Sequence, residues 1–241
     1  MNEQTDRIEA RGRHFGVKQF GRPDGEPVLY CHGWPGSRLE AERTDVLACQ
    51  RNLRIIAYDR PGIGLSDPLP QRMVHHTADD AAAIMEALGI GSTSVLGISG
   101  GGPHALACAA CMPHSIRRVV TVCSPPPLAT EGNAKTCLNP IYRYLAALQL
   151  KTPYLGNLAM KLFKLGLKCP GSLLLKRAAI CILPAPDRKT LCQKNCLNLV
   201  GTNVLESMQQ GTRTLIEDGM RYLKDWGVPL ENIECPVHLW H

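Results

Sequence analysis

Residues 95–102 read VLGISGGG, an apolar run that ends in a serine set among glycines. Gly97 to Gly101 match G-x-S-x-G, the pattern of a sharp turn from a strand into a helix. Such a turn strains the serine backbone and leaves no room for side chains beside it, so Gly97 and Gly101 are predicted to support the turn. Ser99 then lies at a helix N-terminus, where N–H groups favour negative charge, and is our candidate nucleophile.

Two other glycine-rich turns are alternatives to this interpretation. A phosphate-binding loop would end in Gly-Lys-Ser/Thr, which GISGGG lacks, and no cation follows it. A dinucleotide-binding loop needs G-x-G-x-x-G after the first strand, and neither the spacing nor the position fits. A serine with a purely structural role in the turn is the alternative that the sequence leaves open.

Further strands, each followed by a loop, lie on both sides of this motif. EPVLYC (26–31) precedes HGWPGS, and LRIIAY (53–58) precedes DRPGIGLSD. Helical patterns cover 78–88 and 103–111, and a strand, IRRVVTVC, follows at 116–123. This alternation predicts an α/β fold with a mostly parallel sheet and helices on both faces, whose functional site lies at the carboxyl ends of the strands.

The alternation stops after about residue 125 and resumes near the end of the chain. Between these points the pattern indicates helices interrupted by prolines, and IECPVHLWH then returns to a strand. We therefore predict a core over 1–127, a helical cap over 128–216 and a return to the core, with strand 7, over 217–241.

The predicted cap is strongly basic. Residues 135–189 contain ten Lys or Arg and one acid, Asp187, a net charge of +9, whereas the rest of the chain carries −3. Leucines at 158, 162 and 165 and lysines at 161, 164 and 168 fall on different helical faces, which favours a solvated amphipathic helix. Weak contact with anionic substrates or a membrane surface is the alternative, and nucleic acid is not expected as a partner.

Composition limits the class of protein further. The N-terminus is polar, and no apolar stretch is long enough to span a membrane, so we expect a soluble, cytoplasmic protein. Eleven scattered cysteines, an odd number without a second C-x-x-C pair, predict buried free thiols rather than disulfides or a metal site. No cofactor and no metal are expected.

The three motifs, GISGG, HGWPGS and DRPGIGLSD, resemble those of the α/β-hydrolase superfamily. The resemblance covers about residues 10–127 and 217–241. It implies Ser99 as nucleophile and the N–H groups of Trp34 and Gly100 as the oxyanion hole, with Trp34 also in the pocket wall. His32 and Gly33 support this loop, as Gly97 and Gly101 support the serine turn, and the Asp59 loop is implied to be a scaffold.

The same resemblance implies groups that the sequence does not show. In this superfamily the order is serine, acid, then histidine. The acid usually follows strand 7, the histidine follows strand 8, and the chain stops at His241. We therefore expect a truncated chain, without strand 8 and the last helix, whose acid and base lie beyond His241 and which is inactive or nearly so.

Two functions remain open at this point. The first is esterase-like hydrolysis of a small ester, lactone or amide through an acyl-enzyme on Ser99. The second is a non-catalytic protein of the same fold that binds a hydrophobic small molecule or a partner. The intact serine turn and oxyanion loop favour the first, while the substrate and the oligomeric state cannot be predicted from these residues.

Overall fold

A mostly parallel sheet organises the structure. The computed structural model describes residues 6–127, 144, 147, 151–169, 188–190 and 196–241. Within these residues the sheet has the strand order β1-β2-β4-β3-β5-β6-β7. β1 and β2 form an antiparallel hairpin, β2 is antiparallel to β4, and the other neighbours are parallel. The strands are β1 Arg7–Ala10, β2 Arg13–Gly21, β3 Glu26–Cys31, β4 Leu53–Tyr58, β5 Thr93–Ile98, β6 Ile116–Val122 and β7 Val237–Trp240.

Helices cover both faces of this sheet, which confirms the predicted fold class. Leu29 on β3 packs in one apolar cluster with Ile84 and Ala105, whereas its neighbour Tyr30 packs in another with Ala41 and Ala48. This division follows from strand geometry, because successive side chains point to opposite faces. The helices of the core are α1 Asp45–Gln50, α2 Thr77–Ala87 and α3 Gly102–Cys111, and a 3-10 helix spans Arg38–Thr44.

Three further helices are described within or next to the predicted cap: α4 Pro153–Lys168, α5 Cys196–Ser207 and α6 Thr212–Met220. α5 is tied to the loop after β3, since Asn203 Oδ1 accepts hydrogen bonds from the Ser37 N–H and hydroxyl, both at 2.8 Å. The Gln210 amide donates to the carbonyl oxygens of Gly64 and Ser66. Much of the range 128–195 lies outside the described residues, and the proposed cap boundary stays a prediction.

The lysine-rich helix α4 turns its leucines away from the rest of the described protein. No residue of α4 is buried, and Leu158, Leu162 and Leu165 are more than half exposed. The leucines therefore form the outward face, while Met160 and Leu167 face the molecule. The spacing of the leucines and lysines predicted an amphipathic helix correctly. That spacing does not indicate which side of the helix packs against the protein.

The cysteines also correct a prediction. All eight that the structure describes have free thiols, but only Cys31 and Cys108 are buried. The expectation of buried thiols is wrong for Cys49, Cys111, Cys123 and Cys169, which are exposed, whereas Cys196 and Cys235 are half-buried. In the described part of the chain, no helix has the length and hydropathy needed to cross a bilayer.

Candidate active site

Ser99 lies at the turn between β5 and α3 with a backbone φ of +49°. This left-handed conformation is uncommon for a residue with a side chain and indicates local strain. A Cβ on Gly97 would lie 2.6 Å from the Gly101 carbonyl oxygen, and a Cβ on Gly101 would overlap the Cys31 carbonyl oxygen. Both flanking positions therefore require glycine, for the reason that the motif predicted.

The loop 32–37 after β3 packs directly against this turn. A Cβ on Gly33 would lie 3.4 Å from Ser99 Cβ, and a Cβ on Gly100 would lie 3.2 Å from Trp34 Cβ. β3 and β5 are adjacent parallel strands, with Cys31 paired to Gly97, so their carboxyl ends meet at one edge of the sheet. The sheet therefore brings Ser99, Gly100, Gly33 and Trp34 together.

A carboxylate fixes the same loop from the other side. The Gly33 N–H donates to Glu40 Oε2 at 2.5 Å. Burial raises the pKa of Glu40, and the hydrogen bond from Gly33 opposes that effect. Glu40 is therefore a positioning residue for the loop, and the sequence analysis missed it because it lies on a short 3-10 helix without a recognisable pattern.

His32 is buried beneath the loop and stays neutral. Burial lowers its pKa to about 3, and the charge of Arg60 acts in the same direction. The Arg60 backbone N–H donates to His32 Nε2 at 3.4 Å. His32 Nδ1 therefore carries the proton and donates to the Gly33 carbonyl oxygen at 2.8 Å. His32 thus donates to the backbone of the loop, and the supporting role that the resemblance implies for it stays a prediction.

Arg60 connects the loop to α6 through an ion pair that the sequence did not predict. Its guanidinium donates to the carbonyl oxygens of His32 and Gly33 at 2.6 and 3.2 Å and to both oxygens of Asp218 at 2.7–3.2 Å. Both side chains are fully buried. Burial alone would raise the pKa of Asp218, but the guanidinium charge holds it well below its usual range.

Two buried polar groups behind the turn have no hydrogen-bond partner among the described residues. They are the Tyr222 hydroxyl and His104 Nε2. The Tyr222 hydroxyl lies 2.8 Å from the position that a Cβ on Gly100 would take, and burial raises the pKa of Tyr222, so it remains protonated. His104 Nδ1 lies 2.6 Å from Thr77 Oγ1, and burial, followed by the charge of Arg60, keeps its pKa well below the usual value.

The Trp34 and Asp59 side chains both serve to hold the loops. Trp34 Nε1 donates to the Leu215 carbonyl oxygen at 2.7 Å, and its indole ring lies against Gly219 on α6. Asp59 accepts hydrogen bonds from the Arg38 backbone and guanidinium and from the Leu65 N–H. These contacts fit the predicted scaffold role of Asp59, while the placement of Trp34 in a pocket wall stays a prediction.

All eight histidines lie within the described residues, and none of them hydrogen-bonds to Ser99 there. His14 contacts Asp67, His76 accepts from the Met73 N–H, and His241 contacts the Ser124 carbonyl oxygen. His32 and His104 are engaged as described above. The structure thus brings the serine turn and the loop beside it together, and it shows no hydrogen bond between Ser99 and a described imidazole.

Comparison with known proteins agrees with this geometry. A family model described as alpha/beta hydrolase fold matches residues 26–138. A non-heme chloroperoxidase from Streptomyces lividans is 33% identical over 124 residues, which cover 51% of this chain and 45% of that protein. A bifunctional esterase/perhydrolase from Acinetobacter calcoaceticus is 31% identical over 120 residues, 48% of this chain and 44% of that protein.

The enol-lactonase from Burkholderia xenovorans LB400 has a similar structure, with a TM-score of 0.64 at 14% identity over 97% of this chain and 79% of that one. With a family model over 113 of its 241 residues, the chain has the α/β-hydrolase fold. It spans a little under half the length of the two relatives with similar sequences.

Proposed function

We propose that the chain is an esterase-like serine hydrolase that acts on a small ester, lactone or amide through an acyl-enzyme on Ser99. The observation that carries the proposal is the strained conformation of Ser99 beside the Gly33–Trp34 loop. Strained backbone conformations cluster at functional sites, and Ser99 has one at the carboxyl edge of the sheet, beside the loop after β3. The resemblance to an esterase/perhydrolase at 31% identity supports the same reaction class.

The proposed reaction follows from these groups. Ser99 Oγ attacks the acyl carbon, its proton passes to a base, and the carbonyl oxygen becomes an oxyanion. The N–H groups of Gly100 and Trp34 stabilise that oxyanion, and each such donor is worth roughly 10²- to 10³-fold in rate. As the tetrahedral intermediate collapses, the base gives its proton to the leaving group. Water then attacks the acyl-enzyme and loses a proton to the base, and the base returns that proton to Ser99 Oγ as the acid leaves.

The proposed reaction needs a general base for Ser99, and the described residues show none hydrogen-bonded to it. Since none of the eight histidines hydrogen-bonds to Ser99, we propose that the 241 residues by themselves acylate slowly. A positioned general base contributes about 10²- to 10⁴-fold, so a site without one retains only what the oxyanion hole and the strained serine provide. A soluble base supplied in the buffer should then restore part of the rate.

A fluorophosphonate probe tests the nucleophile and the base separately. We expect slow labelling of the 241-residue chain, abolished in Ser99→Ala and unchanged in Ser115→Ala, a serine remote from the site. Imidazole in the buffer should accelerate labelling by roughly tenfold.

Absence of Ser99-dependent labelling with and without imidazole would overturn the nucleophile and favour a non-catalytic binding protein. Fast labelling that imidazole leaves unchanged would instead contradict the proposed lack of a base.

A further inference from the structure

The outward face of α4 is an apolar surface that the described fold leaves uncovered. Tyr154, Leu158, Leu162 and Leu165 recur every three or four residues, and their exposed fractions are 90%, 52%, 59% and 59%. Residues at this spacing lie on one side of a helix. We call these four residues the outer face of α4.

The opposite side of the helix already has partners. Met160 and Leu167 pack against the cluster of Ile63, Met208 and Leu215. Thr212 Oγ1 donates to Asn157 Oδ1 at 2.6 Å, and Lys164 Nζ donates to the Met208 carbonyl oxygen. These contacts on the inner side fix the rotation of α4 about its own axis. The outer face is therefore exposed because the inner side is packed against the protein.

Positive charge lies beside the outer face. Residues 151–169 include no acid, and Lys151, Lys161 and Lys168 are exposed. On a helical projection, positions 161 and 168 fall next to Tyr154 and Leu165, on the flank of the apolar stripe. Arg188 and Lys189 are also exposed, and the segment 135–189 has a net charge of +9.

We propose that α4 docks on the surface of an anionic phospholipid bilayer. In this arrangement the outer face enters the boundary between headgroups and acyl chains, and the ammonium groups of Lys161 and Lys168 meet the lipid phosphates. An apolar face with lysines at its flank is the combination that interfacial helices use, and lysine stems extend over apolar surface while their charges reach the polar layer. The 16 residues lie in the plane of the interface.

A second copy of the chain fits this surface less well. Two α4 helices related by a two-fold axis would place the same lysines against each other without any acid in 151–169 to compensate them. Nucleic acid would use the positive charge but not the leucines. The bilayer uses both, and the proposal does not depend on the hydrolase chemistry of Ser99.

Vesicle co-sedimentation of the 241-residue chain tests the docking. We expect binding to phosphatidylcholine vesicles that contain 40 mol% phosphatidylserine (roughly the anionic fraction at which basic segments bind well), weaker binding in high salt and no binding to phosphatidylcholine alone. Leu158→Gln with Leu162→Gln should weaken binding at least tenfold, because two half-exposed leucines lose their apolar contact. The control, Val46→Gln with Leu47→Gln, removes two exposed apolar residues of α1 and should bind as the unmodified chain does.

A charge-matched pair tests the electrostatic part. Lys161→Gln with Lys168→Gln should weaken binding by roughly 20- to 30-fold, at about fivefold for each lysine. Arg118→Gln with Lys224→Gln removes the same charge elsewhere. This control should change binding by less than roughly threefold, because salt screens charges that lie far from the membrane. Circular dichroism establishes that each variant is folded.

Two results would overturn the proposal. One is equal binding by the leucine variant and its α1 control. The other is a change in sedimentation velocity from dimer to monomer in the leucine variant without any change in vesicle binding, which would identify the outer face of α4 as a self-association surface.

Discussion

Gly101 shows at the scale of one residue why the serine turn tolerates so little change. An added Cβ would overlap the Cys31 carbonyl oxygen and lie 2.9 Å from the His32 carbonyl oxygen. Both atoms are backbone at the end of β3, so neither yields without a shift of the sheet. We expect Gly101→Ala to lower the free energy of unfolding by about 3 kcal/mol in urea denaturation.

Gly201 on α5 provides the matched control, because an added Cβ meets no atom within 4 Å there. Gly201→Ala should raise the free energy of unfolding by up to about 1 kcal/mol, since alanine loses less backbone freedom in a helix. Equal destabilisation by both variants would show that close approach is not what requires glycine at residue 101.

His32 makes stability depend on pH. Its pKa is lowered to about 3 in the folded protein, against about 6.5 when unfolded. The unfolded chain therefore binds the extra proton first, and stability is lost as pH falls from about 6.5 towards 3. Between pH 7 and 5 this contribution is about 2 kcal/mol. His32→Asn should reduce the pH dependence of urea unfolding by that amount; an unchanged slope would assign it to other groups.

Tyr222 tests the meaning of an unpartnered hydroxyl beside Gly100. If the hydroxyl has no partner, its removal costs no hydrogen bond, and Tyr222→Phe should leave the free energy of unfolding unchanged or raise it by up to about 1 kcal/mol. Labelling of Ser99 should keep its rate. A loss of stability above 1 kcal/mol, beyond the range expected for a free group, would reveal a buried partner.

At the scale of strands and helices, the sequence predicts those elements whose local hydrophobic pattern is clear. β3, β4 and β5 are continuous apolar runs before glycine-rich loops, and the sequence places them correctly. The β1–β2 hairpin was missed because RIEA and RHFGVKQFG are largely polar sequences, although Phe15, Val17 and Phe20 of β2 are buried. The orientation of α4 was beyond sequence alone, because a stripe of leucines does not specify which neighbour it meets.

The ion pair between α6 and the loop after β4 also could not be predicted from the sequence. Arg60 and Asp218 are 158 residues apart, and the adjacent acid, Glu217, is exposed and pairs with Arg213. Only the tertiary structure distinguishes the two acids. Asp218→Asn leaves the Arg60 guanidinium buried without its counter-charge, and we expect a loss of about 3–5 kcal/mol. Glu217→Gln, the exposed control, should change stability by less than about 0.5 kcal/mol in the same urea titration.

At the scale of the whole molecule, the hydrogen bonds between α5 and the loop after β3 determine whether the two unfold as one unit. Asn203→Ala leaves the buried Ser37 N–H without its acceptor, at a cost of about 2 kcal/mol. If α5 and the sheet are one cooperative unit, this cost lowers the hydrogen-exchange protection of the backbone amides in α5 and in β3 by the same amount. Gln209→Ala, an exposed neighbour, should leave both unchanged. Loss confined to α5 would instead mean that this helix opens while the sheet that holds Ser99 stays folded.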